Sequence, residues 1–219
     1  KTRLDRGKTL DEFGVGGVGR TFQGIAITAA ILISLGAIIL YFFGFNNIND
    51  SSQRIWTSVF HSISAYNNAG FSLWTNSLQD YRSNWVVNCV LIILIVLGGF
   101  GWRVTNDIWI NRRSLKLKNL SLHTRLVIRS SFILISIGFL GLILTESLAR
   151  GSFLSLMNFD GRILSALFTS VSARTAGFTN LPISIESVSD SGLLLMMFLM
   201  FIGASPGGTG GGIKTTTIA

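Results

Sequence analysis

The 219-residue chain is 48% hydrophobic and only 13% charged, with a mean hydropathy of +0.54. An ordinary soluble domain carries about 25% charged residues, so that class is excluded. The 24 glycines against 2 prolines, without a collagen period, exclude disordered and fibrous classes, and a single cysteine excludes a disulfide framework or multi-cysteine metal site.

The net charge of +8 would suit a nucleic acid only if the basic residues formed a surface patch. They stand instead between long apolar runs, so no nucleic-acid partner is expected and the charge reads as membrane topology. A basic segment, residues 1–22, carries Lys1, Arg3, Arg6, Lys8 and Arg20. The first apolar run follows at 25–43, the second at 85–102, the third at 126–145 and a shorter fourth at 192–204. A hydrocarbon core of about 30 Å needs roughly 20 helical residues, so the first three runs are long enough to span and the fourth is short. The first run lacks a small-residue cleavage site at its far end and reads as an anchor rather than a signal peptide.

Between the second and third runs lie Arg112, Arg113, Lys116, Lys118 and Arg125. The two other links carry Arg54 and Arg82, then Arg150 and Arg162, beside Asp50, Asp80, Asp160, Glu186 and Asp190. The positive-inside rule therefore predicts that the N-terminal segment and the 103–125 loop are cytoplasmic, with the other two links outward.

Each outward link holds a second, weaker apolar stretch. Residues 51–65 open with serines able to cap a helix and continue with Ile55, Val59, Phe60 and Ile63 at helical spacing. Residues 160–173 repeat the design with Asp160 as cap candidate and Ile163, Leu164, Leu167, Phe168 and Val171. Both suit a re-entrant half-helix better than a span.

Aligned, the links read FHSISAYNNAGFS from Phe60 and FTSVSARTAGFT from Phe168, a period of about 107 residues. Each unit is span, half-helix, Ala-Gly-Phe, span; repetition of this kind is characteristic of transport proteins. A half-helix that stops inside a membrane returns as extended backbone, tolerated only if buried in protein or lining a water-filled path. Gly70 and Gly177 permit that backbone. Carbonyl oxygens freed at the turns can replace the hydration shell of a cation, with the half-helix dipole aimed the same way. Asn68, Ala69, Gly70 and Phe71, and Thr175, Ala176, Gly177 and Phe178, are the expected ion-binding backbone. Asn67, Asn68 and Thr175 are expected to brace or extend the oxygen ring, with Phe71 and Phe178 packing behind it.

These units, followed by Gly203-Ala204-Ser205-Pro206-Gly207-Gly208-Thr209-Gly210-Gly211-Gly212-Ile213-Lys214, resemble the TrkH/KtrB family of bacterial potassium uptake proteins, including its sodium-ATPase subunit J-like branch. The resemblance implies an all-α integral membrane fold of repeated helix, pore helix, filter loop and helix units, four to a chain, whose loops form one potassium filter. Residues 23–112 and 126–219 correspond to the second and third units, the segment 113–125 to a cytoplasmic loop between them. Because Lys1 is not an initiator methionine and the first and fourth units are missing, the chain is expected to be part of a longer one. The resemblance further implies no covalent chemistry and no cofactor, transport of potassium with sodium as the other candidate, a cytoplasmic nucleotide-binding regulatory subunit, a homodimer of the complete protein, and a plasma-membrane location. It assigns Ser205 to Thr217 as an intramembrane gate loop. The residues agree: a run of about 20 Å at 1.5 Å per residue does not cross a bilayer, and Pro206-Gly207-Gly208 and Gly210-Gly211-Gly212 do not continue a stable helix.

Two other function classes compete. Residues 207–215 nearly spell a phosphate-cradling loop, but Ile213 intervenes where Gly-Lys-Thr is required and an apolar helix, not a strand, precedes it. A non-conducting scaffold is disfavoured because polar turns at membrane depth are costly unless they serve a site. Among single residues, Arg174 is expected to face away from the path and tie its loop to a carboxylate or carbonyls. Lys214 reads equally as a gate charge or a snorkelling lysine. Arg129 and Glu146 read as interfacial anchors. His61 is expected in half-helix packing, His123 in a cytoplasmic loop, and Cys89 and Met196, Met197 and Met200 as packing or lipid-facing filler, while Asn88 is expected to bond a neighbouring helix.

Overall fold

The structure, a computed structural model, describes residues 15–111, 120–149, 154–182 and 188–218. Lys1, Arg3, Arg6, Lys8, Arg112, Arg113, Lys116, Lys118, Arg150 and Glu186 therefore lie outside the described residues. Most of the described residues are helical: α1 Val15–Ile39, α2 Ser51–Tyr66, α3 Trp85–Phe100, α4 Trp102–Ile110, α5 Leu122–Leu148, α6 Phe159–Ala173, α7 Asp190–Phe201 and α8 Thr215–Ile218. A π turn, Leu40–Gly44, continues α1, so the first apolar span runs Thr21–Gly44, 24 residues; α5 supplies a second of 27. Helix α1 thus begins inside the segment read as a basic tail. Exposed Ile27, Ile31, Leu35, Ile38 and Phe42 recur at helical spacing on α1, as do Ile133, Ile137, Leu140 and Leu144 on α5. One stripe of each helix is thus left uncovered by the described residues.

The repeat is visible in the packing. Helix α2 lies against α1 and α3, α6 against α5 and α7, and α3 against α6 joins the halves. Ser62 Oγ on α2 donates to Ile33 O (2.6 Å), and Ser170 Oγ on α6 donates to Ile135 O (2.8 Å). At each crossing a glycine, Gly36 or Gly138, leaves room for that serine: a Cβ on Gly36 would lie 2.7 Å from Ser62 Oγ, and one on Gly138 would collide with Ser170 Oγ. These are small-residue helix contacts of the kind membranes favour. Arg54 and Arg162, at equivalent places in the half-helices, hold the preceding loops: Arg54 Nε donates to Ile48 O (2.8 Å) and Arg162 Nη2 to Ser155 O (2.6 Å). Ser170→Ala is expected to lower stability by about 0.6 kcal/mol, the average for a hydrogen bond between membrane helices. Gly138→Leu is expected to cost more, roughly 1–3 kcal/mol from overpacking. Unfolding of the complete protein in detergent measures both.

Sequence expectation and structure part at several helix ends. Asp50, not the following serines, caps α2, accepting from Ser52 N (3.1 Å) and Gln53 N (3.3 Å). Asn158 is the cap position of α6 and Asp160 lies in its first turn, where its charge favours the helix dipole. The second span stops at Phe100: Gly101 adopts φ +82°, and α4 leaves at 100° to α3. Periodicity alone did not reveal the bend, since Trp102–Ile110 is amphipathic and follows without polar punctuation. His123 belongs to the first turn of α5 rather than a loop.

Asp107 ties α4 to α5. Its Oδ2 accepts from Ser121 N (2.9 Å) and its Oδ1 from Asn111 Nδ2 (2.9 Å). Burial pulls its carboxyl pKa upward most, but hydrogen bonds from Thr124, Ser121 and Asn111 together outweigh it and hold the group below the usual range. A depressed folded pKa adds stability above the unfolded value, about 3.9, that is lost as pH falls through the folded one. Asp107→Ala is accordingly expected to lower the melting temperature at pH 7. The gap to the parent should close below about pH 4; a gap unchanged between pH 7 and pH 3 contradicts this.

Candidate functional site

Two turns and one loop meet between the halves. At the end of α2, Asn68 and Gly70 have φ +51° and +71°; at the end of α6, Thr175 and Gly177 have φ +80° and +82°. Positive φ is uncommon outside glycine and costs on the order of 1 kcal/mol or more, so its recurrence at non-glycine positions in both repeats marks a constrained site. Each turn is held by its own half-helix: Ala69 N donates to Ser64 O (2.9 Å) and Ala176 N to Ser172 O (2.9 Å). Ser64 Oγ donates to Phe71 O (2.8 Å), and Ser172 Oγ to Phe178 O (2.6 Å). The turns are in contact, since a Cβ on Gly70 would lie 2.5 Å from Ala176 O and 2.8 Å from Gly177 Cα. Ala69 and Gly177 are exposed, Ala176 is buried.

The two phenylalanines differ. Phe178 is 3% exposed and packs into the first repeat's core with Leu91, Leu94 and Ile95, whereas Phe71 is 70% exposed. The first repeat backs the second turn, but no described element backs the first, so the expected packing of Phe71 is not found. Asn67 does not reach the turn's oxygens; its Nδ2 donates to Ile63 O on its own helix (2.9 Å).

The glycine-rich loop begins where α7 breaks after Phe201. Gly203 N donates to Ile213 O (3.0 Å) and Ala204 N to Gly211 O (3.1 Å), closing the root. The loop docks on α3: Ser205 N donates to Gly99 O (3.1 Å) and Thr209 N to Gly98 O (3.1 Å). Thr209 Oγ1 donates to Tyr66 O (3.0 Å) and accepts from Asn68 Nδ2 (2.8 Å), joining the loop to the first turn. Lys214 Nζ donates to Gly210 O within the loop (2.9 Å), and Ser205 Oγ meets Thr215 Oγ1 (2.9 Å). Two glycines make this approach possible. A Cβ on Gly98 would overlap Tyr66 O and one on Gly208 would overlap Gly99 O, contacts with backbone that no rotamer relieves. Beside the loop, Asn68, Gly99, Ser131, Arg174 and Ala204 help line a cavity of about 20 Å³, room for about one water.

Arg174 caps α6 and its Nη2 donates to Gly203 O (3.3 Å), a carbonyl partner as expected. Glu146, two residues from the end of α5, is buried: it is 2% exposed and its Oε1 accepts from Ser189 N (3.1 Å) and Ser189 Oγ (2.6 Å), the cap of α7. Arg129 is exposed. His61 is buried, stacked on Trp74 at 4.6 Å, with Nδ1 to Thr57 O (2.8 Å) and Nε2 to Ser72 Oγ (3.2 Å). Cys89 is half-buried, Met196 is buried, and Met197 and Met200 are exposed. Asn88 holds the end of the preceding loop through Tyr81 O (2.8 Å) and accepts from Asn180 Nδ2 (2.9 Å). Sequence reasoning missed Asn180, fully buried at the join of the repeats, and Tyr66, whose main chain rather than side chain is used. The insertion of one residue before Asn68 was the available signal for Tyr66. Residues 207–215 follow a helix and fold against α3, so the nucleotide reading gains no support.

Apolar spans flanking half-helices, with two strained turns and a broken helix enclosed between them, define an integral membrane protein of the cation-transporter fold. The chain belongs to the TrkH family of cation transport proteins, whose model matches residues 17–219. It is 35% identical over 193 residues to the Ktr system potassium uptake protein B of Bacillus subtilis, covering 88% of this chain and 40% of that protein. It is 37% identical over 167 residues to the potassium/sodium uptake protein NtpJ of Enterococcus hirae, covering 76% and 36%. The crystal structure of the potassium transporter TrkH from Vibrio parahaemolyticus superposes with a TM-score of 0.72 over 92% of this chain and 39% of that one, at 21% identity, and so shares the fold. The chain thus spans about two-fifths of the length of these relatives.

Proposed function

We propose that this chain supplies two units of the pore of a Trk/Ktr-type uptake system that moves potassium, with sodium as the other candidate, across the plasma membrane. Backbone oxygens of Asn68 to Phe71 and Thr175 to Phe178 select the cation, and Ser205 to Thr217 form the gate. The observation that carries this is the matched pair of positive-φ residues in each turn, Asn68 with Gly70 and Thr175 with Gly177, in contact across the repeats. Such strain persists only where the surroundings hold it, and main-chain oxygens brought together at membrane depth suit dehydrated cations. The loop on Gly98 and Gly99 lies against the first of those turns through Asn68 and Thr209, a place from which it obstructs ions leaving the filter. The relatives' names, potassium uptake and potassium/sodium uptake, support the same ions.

Residues 23–112 and 126–219 are then the second and third of four units in the complete protein. That protein pairs as a homodimer, sits in the lipid bilayer with the N-terminal segment and the 103–125 loop in the cytoplasm, and meets a cytoplasmic nucleotide-binding regulatory subunit there. Expression of the complete protein in a potassium-uptake-deficient host tests this. Restored growth at low potassium, with saturable rubidium uptake, is expected. Absence of cation uptake by protein present in the membrane overturns it.

A further inference from the structure

Each turn grips a different part of the glycine-rich loop. The first turn holds the tip, through the Thr209 hydroxyl between Tyr66 O and Asn68 Nδ2. The second holds the root, through Arg174 Nη2 on Gly203 O. The root is where the chain leaves α7, where Ile202 and Ile213 pair, and where Gly203 N is already bonded to Ile213 O. It has no slack: a Cβ on Gly203 would overlap Gly211 O. Arg174 also occupies the place where the first repeat has Tyr66-Asn67, so the two grips are not copies. One is a neutral hydroxyl at the tip; the other is a guanidinium at the base of a half-helix.

Resting on the proposed pore, we infer that Arg174 is a positioning residue that latches the glycine-rich loop shut from the second filter turn, so that the loop cannot leave without disturbing that turn. Three observations support it. Arg174 directly follows the last residue of α6 and directly precedes Thr175, so a pull on its side chain acts on the strained residue. The donor at the root is a charged guanidinium, whereas the donor at the tip is a neutral hydroxyl. Thr175 also lies against the loop, since a Cβ on Gly210 would collide with Thr175 Oγ1. Movement of the loop and relaxation of the turn are thereby linked, and such linkage acts in both directions: the ion held in the turn biases the loop, and the loop biases the ion.

The test uses the complete protein with Arg174→Gln and Arg174→Lys. Ser205 is 1% exposed when the loop is docked, so Ser205→Cys, with Cys89 and any further cysteine of the complete protein replaced by serine, reports undocking by its rate of reaction with a soluble thiol reagent, whether or not ions move. Arg174→Gln is expected to speed that labelling by about fivefold or more, within the range usual for coupled sites. It should raise unstimulated rubidium uptake in parallel and lower the preference for potassium over sodium. Arg174→Lys, which keeps a charged donor, should stay near the parent in all three. Labelling and selectivity unchanged in Arg174→Gln, or equal changes in Arg174→Lys, overturn the latch. If Arg174→Gln fails to accumulate, the intact protein decides through the linkage itself: Ser205→Cys labelling at different rates in potassium and in sodium supports a loop coupled to the turn, and equal rates overturn it. A parent protein that moves no cation counts against the pore itself, whereas normal parent transport with unaltered variants counts against the latch alone.

Discussion

Gly70→Ser in the complete protein is expected to reduce the preference for potassium over sodium by roughly tenfold, equivalent to about 1.4 kcal/mol, with Gly177→Ser giving the smaller loss. Both residues have left-handed φ, so any side chain strains both. The neighbours differ. A Cβ on Gly70 meets Ala176 O at 2.5 Å and Gly177 Cα at 2.8 Å, both backbone atoms of the other turn, whereas a Cβ on Gly177 meets nothing nearer than Gly70 Cα at 3.3 Å. A substitution at Gly70 must therefore separate the two turns, while one at Gly177 mainly strains its own. Competition of sodium against rubidium uptake measures the effect. Equal relative affinities in parent and Gly70→Ser would show that these turns do not select the ion, and flux surviving both substitutions with unchanged selectivity would favour a scaffold role.

Shortening the 208–212 run is expected to raise cation flux about tenfold where the parent is held closed, a size within the usual range of coupled equilibria. Thr209 reaches Gly98 O, Tyr66 O and Asn68 only because the flanking glycines let the main chain lie on α3. A shorter run pulls Thr209 off that seat and removes the obstruction. Uptake that falls while the protein remains at normal abundance would mean the loop supports the path rather than blocking it. Gly98→Ala offers an independent check, because its methyl would overlap Tyr66 O, which accepts the Thr209 hydroxyl. It should act in the same direction with the loop length unchanged.

Much of the backbone framework was legible in the sequence, because glycine and proline have few substitutes where the chain must turn or break. Gly70 and Gly177 stood out by repetition, and both turns fold with the expected left-handed glycine. The break after α7 followed from Pro206 and the glycine run, and α7 does stop at Phe201. Apart from Asn180, whose side-chain amide bonds Asn88, the partners without a sequence signal act through their main chain. Tyr66, Gly98, Gly99 and Gly203 contribute carbonyl oxygens, which every residue possesses, so no pattern of residue types marks them. The partner of Glu146 was equally hidden, because Ser189 lies 43 residues away and meets it only after packing.

The sequence by itself determined the membrane class, the two-fold repeat, the apolar runs, the two half-helices and the two turns. Composition, apolar run length and periodicity are local properties, and the solvent imposes them on each segment separately. Tertiary structure decided which turn touches which, that Phe178 is buried while Phe71 is not, that α4 turns away at Gly101, and that Arg174 reaches Gly203. Those outcomes depend on close backbone approaches between residues far apart in the chain. They are governed by where glycine leaves room and which carbonyls remain unpaired, quantities defined only once the helices have packed.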